Sequence, residues 1–197
     1  FLFSLPYDSY NSLKMVDIKY PTIDTPEGEK IQISFGTYNQ IRTHKDRQYR
    51  MRAFDALYGS LYKYKNSLSL SLSYEVQKNV ALSKIRKFDS ALDRGLFNYE
   101  VPRKVYDNLL YGTKESLSIL HKYISLRKKV LKLDKVMPHD IGVSLSFSLD
   151  KKYTYEEAYK LSEKYLSIFG DEYINVLDKA INEGWIDVYE APHKAPG

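Results

Sequence analysis

Four histidines are the residues of this chain best suited to metal or acid–base chemistry: His44, His121, His139 and His193. A helical zinc hydrolase site needs two histidines one helical turn apart, so that both imidazoles reach one ion, with a glutamate between them to activate water. No two histidines of this chain lie within five residues of each other, and none begins a His-Glu-x-x-His pattern. We therefore expect each to be a surface or helix-cap residue. We predict no catalytic, cofactor-binding or metal-binding residue in this chain.

Nucleophilic and nucleotide chemistry also lack the local patterns that they require. The chain contains no cysteine, no Gly-x-Ser-x-Gly elbow and no glycine-rich loop that could cradle a phosphate. The acidic pairs Glu156-Glu157 and Asp171-Glu172 fall in the first turns of predicted helices, where the helix dipole favours negative charge. We interpret both pairs as structural.

Basic residues cluster in three places, at residues 45–52, 84–87 and 127–132. Acidic residues recur near each cluster, so the prediction is a solvated face rather than a binding patch. The net charge of +5 arises from 30 Lys and Arg against 25 Asp and Glu. Because this surplus is spread over the whole chain, we expect no nucleic-acid partner.

Nineteen tyrosines give the chain an unusual number of amphipathic side chains. Those in predicted helices could line a groove for extended peptides, although packing at a helix surface is the commoner use of such residues. They include Tyr58, Tyr62, Tyr64, Tyr106, Tyr111 and Tyr123.

The composition also bears on the compartment. The absence of cysteine fits a reducing compartment, and no apolar run approaches the roughly 20 residues that span a bilayer, so we predict a cytoplasmic protein without a membrane segment.

The sequence opens on Phe1 rather than Met and closes on the turn-like residues 191–197. We expect a piece of a longer protein.

Residues 16–35 predict a β-hairpin. Residues 16–20 and 31–35 each alternate apolar and polar side chains, and the turn-forming residues 25–28 lie between them. Pro21 is expected at the end of the first strand or at an edge, where no ladder donor is needed.

A long helix is predicted over residues 45–80, with Thr43 as its N-cap and Asp46 in its first turn. Residues 67–73 alternate Ser and Leu, which alone is typical of a strand. The wider window favours a helix, because seven large side chains recur at steps of three and four, with a break near Asn66 as an alternative. They are Leu57, Leu61, Tyr64, Leu68, Leu72, Val76 and Val80.

A second long helix is predicted from Pro102, as first helical residue, to about Leu133. Its apolar stripe comprises Val105, Leu109, Leu117, Leu120, Ile124 and Leu131.

Two shorter helices are predicted near the end of the chain. Thr154 and Glu157 form a capping-box pattern for a helix that Gly170 closes, and the next helix ends at Gly184. Residues 141–149 alternate apolar and polar side chains, which fits either a short strand or an extended connector.

Five stretches, read in order, carry a family pattern. They are Lys45-Asp46-Arg47 with Arg50, Ala53, Phe54, Ala56 and Leu57; Phe88-Asp89-Ser90-Ala91-Leu92-Asp93 with Phe97; Val105-Tyr106-Asp107-Asn108-Leu109; Lys152-Tyr153-Thr154-Tyr155-Glu156-Glu157-Ala158; and Gly184-Trp185-Ile186-Asp187-Val188-Tyr189-Glu190. Their collinear order resembles the oligoendopeptidase F branch of the thimet-type zinc peptidases, and the resemblance covers nearly the whole chain from about Tyr10 onward. The sequence departs from the family at Met137-Pro138-His139-Asp140-Ile141-Gly142, where the family tends to have aromatic-Asp-Leu-aromatic.

The resemblance implies a mainly α fold: a long-helix bundle with a small β-hairpin near the N-terminus, part of a larger, mostly helical peptidase. Residues 1–40 would form the hairpin segment, and residues 41–197 a helical part of the catalytic region, truncated before the zinc site. It further implies that the parent enzyme hydrolyses oligopeptides with zinc held by a His-Glu-x-x-His helix beyond Gly197. The partners of this piece would be oligopeptide substrates and the remainder of the parent chain. The alternatives are a non-catalytic helical scaffold module and, less favoured, a basic nucleic-acid binder.

Overall fold

The computed structural model describes residues 3–146 and 153–189, and two compact units divide the chain between Leu145 and Ser146. The described residues form a mainly helical structure with a two-stranded hairpin, which confirms the predicted fold class. The first unit contains α1 (Leu5–Ser12), β1 (Thr22–Asp24), β2 (Lys30–Gln32), α2 (Phe35–Ile41), α3 (Arg47–Lys63), α4 (Lys65–Ile85), α5 (Ala91–Asn98), α6 (Arg103–Glu115) and α7 (Leu117–Val130), and the second contains α8 (Tyr155–Leu166) and α9 (Asp171–Asn182). Within the described ranges no helix combines the length and apolar character needed to cross a membrane.

The hairpin forms where it was predicted, but its first strand is displaced. β1 pairs antiparallel with β2, with Ile23 opposite Ile31. The prediction of a strand at residues 16–20 is wrong, because residues 13–17 form a π-helical turn that continues α1. Pro21 precedes β1, where its carbonyl accepts a hydrogen bond from the Ile33 N–H.

The second strand is shorter than predicted because a helix begins directly after it. The Ser34 side chain accepts a hydrogen bond from the Thr37 N–H, and the Thr37 hydroxyl accepts one from the Ser34 N–H. This capping box satisfies two backbone donors, so the chain turns from strand into α2 at Phe35.

The buried core lies where the hairpin, α2 and α3 meet. Ala53 and Leu57, one turn apart on α3, are completely buried, and Ile33 reaches them from the end of the hairpin. Burial of a side chain such as Leu57 contributes about 2 kcal/mol. The buried cluster comprises Ile33, Tyr38, Ile41, Tyr49, Ala53 and Leu57.

α3 begins at Arg47, and its N-cap is Asp46 rather than the predicted Thr43. The Asp46 carboxylate accepts hydrogen bonds from the N–H groups of Gln48 and Tyr49, where the helix dipole also favours its charge. The Thr43 hydroxyl instead donates to the Gln40 carbonyl at the end of α2.

Both predicted long helices are interrupted. The first breaks at Tyr64, two residues before the predicted alternative at Asn66, and the helical prediction for residues 67–73 is confirmed within α4. The second, predicted as continuous to Leu133, breaks at Ser116 and ends at Val130. Pro102 is the N-cap of α6 rather than its first helical residue.

The apolar stripes of α4 and α6 are largely exposed. Leu72 and Val76 on α4, and Val105 and Leu109 on α6, all lie more than half open to solvent. The spacing therefore predicted the helices correctly, but the burial assumed for the stripe does not extend past the beginning of α4.

In the second unit, the predicted capping residues lie at helix ends. The Thr154 hydroxyl accepts from the Glu157 N–H, and the Glu157 carboxylate accepts from the Thr154 N–H. Gly170 and Gly184 adopt positive φ angles of 91° and 72°, which glycine reaches without a Cβ clash. Residues 141–146 form no strand, and the rest of the predicted 141–149 segment lies outside the described residues.

Candidate functional site: a buried arginine–aspartate cluster

The described residues bring five side chains capable of acid–base or charge chemistry together in the first unit. We call them the Asp140 cluster: Arg47, Arg50, Arg127, His139 and Asp140. Asp140 is 0% exposed, Arg127 2% and Arg50 3%, in a region formed by α3, α7 and a single 3₁₀ turn at Pro138–Asp140. Buried charges of this kind must be paired, because each loses its hydration on folding.

Asp140 is the centre of the cluster. Arg47 donates from Nε to Oδ1 at 2.9 Å and from Nη2 to Oδ2 at 3.0 Å. This bidentate contact fits a planar carboxylate. Arg50 Nη2 and the Met137 N–H each add a donor at 3.0 Å. Burial opposes the charged carboxylate, but these hydrogen bonds outweigh it and lower the pKa of Asp140 to about 2.

Arg50 ties the same turn to the beginning of α3 through main-chain oxygens. Its Nε donates to the His139 carbonyl at 2.8 Å, and its Nη1 donates to the carbonyls of His44 and Lys45 at 2.7 and 3.0 Å. Arg47 and Arg50 lie three residues apart on α3, so both side chains project from one face toward Asp140.

Arg127 connects α7 to the same turn. Its Nη2 donates to the carbonyls of Asp140 and Val143 at 2.7 and 2.6 Å, while its Nη1 donates to the Tyr123 hydroxyl at 2.9 Å. Within the described residues, Arg127 Nε is buried and has no hydrogen-bond partner. Arg127 therefore attaches α7 to the turn through peptide groups rather than through a carboxylate.

The basic clusters at residues 45–52 and 127–132 were predicted to be solvated, and that prediction is wrong for Arg50 and Arg127. Each guanidinium is buried because it replaces its water contacts with several protein oxygens. The basic side chains of residues 84–87 are exposed, as predicted.

The prediction that each histidine is a surface or cap residue is likewise wrong for one of them. His139 is buried, with its ring 5.9 Å from that of Phe54, so the expectation of a surface or cap residue is wrong there. His44 does take a cap role, because its Nδ1 accepts from the backbone N–H of the α3 N-cap at 3.0 Å. His121 is exposed, and His193 lies outside the described residues.

The Asp140 cluster does not suit a metal ion. Four N–H donors already occupy the two oxygens of Asp140, and the surrounding guanidiniums repel a cation. His139 Nε2 lies 3.8 Å from Asp140 Oδ1, too far for a direct hydrogen bond. Across residues 3–146 and 153–189, no three His, Asp or Glu side chains are placed to hold a metal.

The cluster is also a poor acid–base centre. A carboxyl group with a pKa of about 2 is a weak base near neutral pH, where general bases work best with a matched pKa. What the arrangement does is fix the relative positions of α3, α7 and the turn at residues 138–143. Asp140 is thus a structural anchor.

Local sequence patterns do not predict the Asp140 cluster, because the residues that pair in it are distant in sequence. Arg50 and Asp140 are 90 residues apart, and no local spacing connects them. The available signal was that Arg50 lies three residues before Ala53 and seven before Leu57, on the face of α3 that was expected to be apolar.

A second concave region lies between α1 and α4. It is a cavity of about 350 Å³, and the residues that line it include Tyr7, Tyr10 and Glu75. That carboxylate already accepts hydrogen bonds from Lys78 and Asn79. None of the six tyrosines considered for a peptide groove lines this cavity.

Comparison with known proteins places the chain among peptidases. Residues 40–197 match the model of peptidase family M3. Oligopeptidase PepF of Bacillus subtilis is 36% identical over 190 residues, which cover 96% of this chain and 28% of that protein. An oligoendopeptidase F homolog of Lactococcus lactis is 36% identical over 196 residues, which cover 100% of this chain and 32% of that protein.

Solved structures agree with the sequence matches. The crystal structure of oligoendopeptidase-F from Enterococcus faecium superposes with a TM-score of 0.71 at 28% identity, covering 91% of this chain and 34% of that one. A structure from Bacillus anthracis shares the fold, with a TM-score of 0.79 at 14% identity. The chain spans about a third of the length of these relatives. Since the family match covers most of its residues, the chain belongs to peptidase family M3.

Proposed function

We propose that this chain is part of a zinc-dependent metalloendopeptidase that hydrolyses oligopeptides, and that it contributes channel and cleft wall rather than catalytic residues. The observation that carries the proposal is the match of residues 40–197 to peptidase family M3. The named relatives are an oligopeptidase and an oligoendopeptidase homolog, which supports oligopeptides as the substrate class. A likeness of 36% identity over 190 residues also goes well beyond the shared helical periodicity on which the scaffold-module alternative depends.

In this proposal the zinc ligands and the catalytic glutamate lie beyond Gly197. The donor chemistry of the described residues supports this placement, because the one buried carboxylate among potential ligands, Asp140, is saturated by arginine and backbone donors. Residues 1–40 then form the hairpin segment and residues 41–197 a helical segment of the catalytic region that ends before the zinc site. The proposed compartment is the cytoplasm, consistent with a chain that contains no cysteine.

The Asp140 cluster has a positioning role in the proposed enzyme. Arg50 of α3 and Arg127 of α7 both bind the turn at Asp140, which lies 90 residues after Arg50 in the sequence. The cluster therefore fixes the relative positions of α3 and α7, which are two parts of the proposed channel wall. Fixed walls favour catalysis because a bound peptide must be held close to its reactive geometry.

The test compares two purified polypeptides: residues 1–197, and the longer gene product that contains them. Hydrolysis of a fluorogenic oligopeptide is measured with and without a zinc chelator, followed by re-addition of zinc. We expect hydrolysis only from the longer polypeptide, lost with the chelator and restored by zinc. A longer polypeptide with glutamine in place of the glutamate of its His-Glu-x-x-His segment is the matched inactive control.

Zinc binding by residues 1–197 is measured in the same series. We expect an affinity no higher than that of a single surface histidine, because a catalytic zinc needs three protein donors. Chelator-sensitive hydrolysis by residues 1–197 alone, in a preparation free of the longer enzyme, would contradict the placement of the site. A longer polypeptide that folds but cleaves no peptide would contradict the peptidase proposal itself.

A further inference from the structure

Residues 67–73 carry a side-chain pattern that the helix α4 does not satisfy. Serine and leucine alternate there without exception, and residues 66–74 contain no charged side chain. At about 100° per residue, Leu70 lies about 160° around the helix from both Leu68 and Leu72. A helix therefore divides the three leucines between two faces, whereas a strand would place all three on one face and the serines on the other.

The division of the leucines is visible in the structure. Leu68 and Leu72 line the cavity between α1 and α4, while Leu70 lines a second cavity. Leu70 is 52% exposed and Leu72 is 66% exposed. Helix α4 thus leaves apolar surface in water that a β-sheet stacked on its leucine face would bury.

This part of α4 has few contacts that would resist unwinding. The helix begins after Tyr64 without a hydrogen bond from a capping side chain. Every residue of α4 is described, and Ser83, which lies beyond the alternating stretch, is the buried one. The Ser71 hydroxyl donates to the Ser67 carbonyl at 3.1 Å, a contact that slightly destabilises helices. A segment with little buried surface opens locally more readily than a buried core.

We propose that residues 66–74, when α4 unwinds, form a β-strand that pairs with the same residues of a second copy of this chain. Segments of six or seven residues with low charge and without proline or glycine are the ones that associate in this way. The alternation supplies the period of two that a strand with one apolar face requires.

Charge sets the direction of this pairing. Lys65 and Glu75 border the uncharged stretch, and both lie five residues from Leu70. Antiparallel pairing centred on Leu70 therefore places Lys65 of each copy opposite Glu75 of the other, and facing opposite charges stabilise a sheet. Parallel pairing in register would place Lys65 opposite Lys65, which is destabilising. The charges at the two ends of the stretch thus favour an antiparallel pair.

The test follows self-association of residues 1–197 after dilution from urea. It starts from unfolded chains, so it does not require these residues to fold independently. The rate is measured by thioflavin T fluorescence and by the amide I infrared band of intermolecular β-sheet. Leu72→Lys places a charge on the leucine face of the proposed strand. Leu109→Lys on α6 is the matched control, because Leu72 and Leu109 are both 66% exposed and both variants gain the same charge.

We expect the wild type and Leu109→Lys to associate at similar rates, and Leu72→Lys at least about fivefold more slowly, because a charge within an apolar strand opposes association. Leu145→Lys tests residues 143–149, which also alternate apolar side chains with serine, and should leave the rate unchanged.

Three results of this assay would overturn the proposal. They are a wild type that forms no intermolecular β-sheet, a rate for Leu72→Lys equal to that of the wild type, and equal slowing by Leu72→Lys and Leu109→Lys, which would be an effect of net charge. Slowing by Leu145→Lys alone is a case of the second result and would assign the association to residues 143–149.

Cysteine variants test the antiparallel geometry, since the chain contains no cysteine of its own. Antiparallel pairing centred on Leu70 brings residue 67 of one copy opposite residue 73 of the other, near enough for a disulfide. After oxidation, an assembly of Ser67→Cys mixed with Ser73→Cys should give at least about fivefold more disulfide-linked dimer than Ser67→Cys alone. As much dimer from Ser67→Cys alone would overturn the antiparallel pairing.

Discussion

The core around α3 and the helix α6 are built from similar sequence patterns but differ in burial. In the first, side chains about 90 residues apart meet, as Arg47 and Arg50 do with Asp140, and Leu57 is completely buried. In the second, Val105 is 55% exposed and Leu109 is 66% exposed. Periodicity alone therefore produces a helix, whereas long-range contact produces burial and the free energy that accompanies it.

The largest expected difference between the two regions involves aspartates. In residues 1–197, Asp140→Ala leaves the buried Arg50 guanidinium without its carboxylate, which should lower the free energy of unfolding by about 3–5 kcal/mol. Asp107 pairs with Arg103 on the surface of α6, so Asp107→Ala should cost less than about 1 kcal/mol. Urea denaturation measures both, and equal losses would contradict the distinction.

Leucines test the same comparison without charge. Leu57→Ala leaves a cavity in the core and should cost about 2–5 kcal/mol. Leu109→Ala in the same polypeptide should change the free energy of unfolding by less than about 0.5 kcal/mol, because its side chain is already mostly in water. A large loss for Leu109→Ala would show that α6 is covered within residues 1–197.

Acid should weaken the first region. Because the pKa of Asp140 is lowered from 3.8 to about 2 in the folded chain, its stabilisation is complete above about pH 5 and is lost as the pH falls toward 2. The difference corresponds to about 2 kcal/mol. Urea denaturation of the wild type and of Asp140→Asn between pH 2 and 6 measures this loss. The gap between the two should narrow as the pH falls, and a constant gap would assign the effect to other groups.

The smallest expected difference between the two regions involves two glycines. A Cβ on Gly142 would lie 2.7 Å from the Arg42 carbonyl oxygen, so Gly142→Ala forces a backbone shift and should cost about 1–2 kcal/mol. Gly112 lies within α6 with open space around it, so Gly112→Ala should stabilise by up to about 1 kcal/mol. Thermal denaturation of both variants should therefore shift the midpoint in opposite directions.

Local patterns predicted the helices well and their ends less well. The three-and-four spacing identified α4 despite the Ser-Leu alternation, and Thr154 with Glu157 marked the beginning of α8. The first strand was misplaced because residues 16–20 alternate, but residues 13–17 continue the turn of α1. An alternation of five residues fits a helical turn as well as a strand, and local sequence does not distinguish them.

Local patterns did not predict the Asp140 cluster. Its three arginines resemble surface residues in composition, and only the fold brings Arg127 and Arg50 to the same turn. The family resemblance did not locate it either, because the sequence departs from the family pattern at residues 137–142.

The way in which Arg50 and Arg127 hold that turn has a consequence for sequence divergence. Between them they contact the main-chain oxygens of His139, Asp140 and Val143, and every residue type supplies such an oxygen. Substitutions in the turn can therefore accumulate without loosening these contacts, provided that the Asp140 carboxylate and the space beside Gly142 are kept. Selection should thus act strongly on Asp140 and weakly on an exposed neighbour such as Ile141.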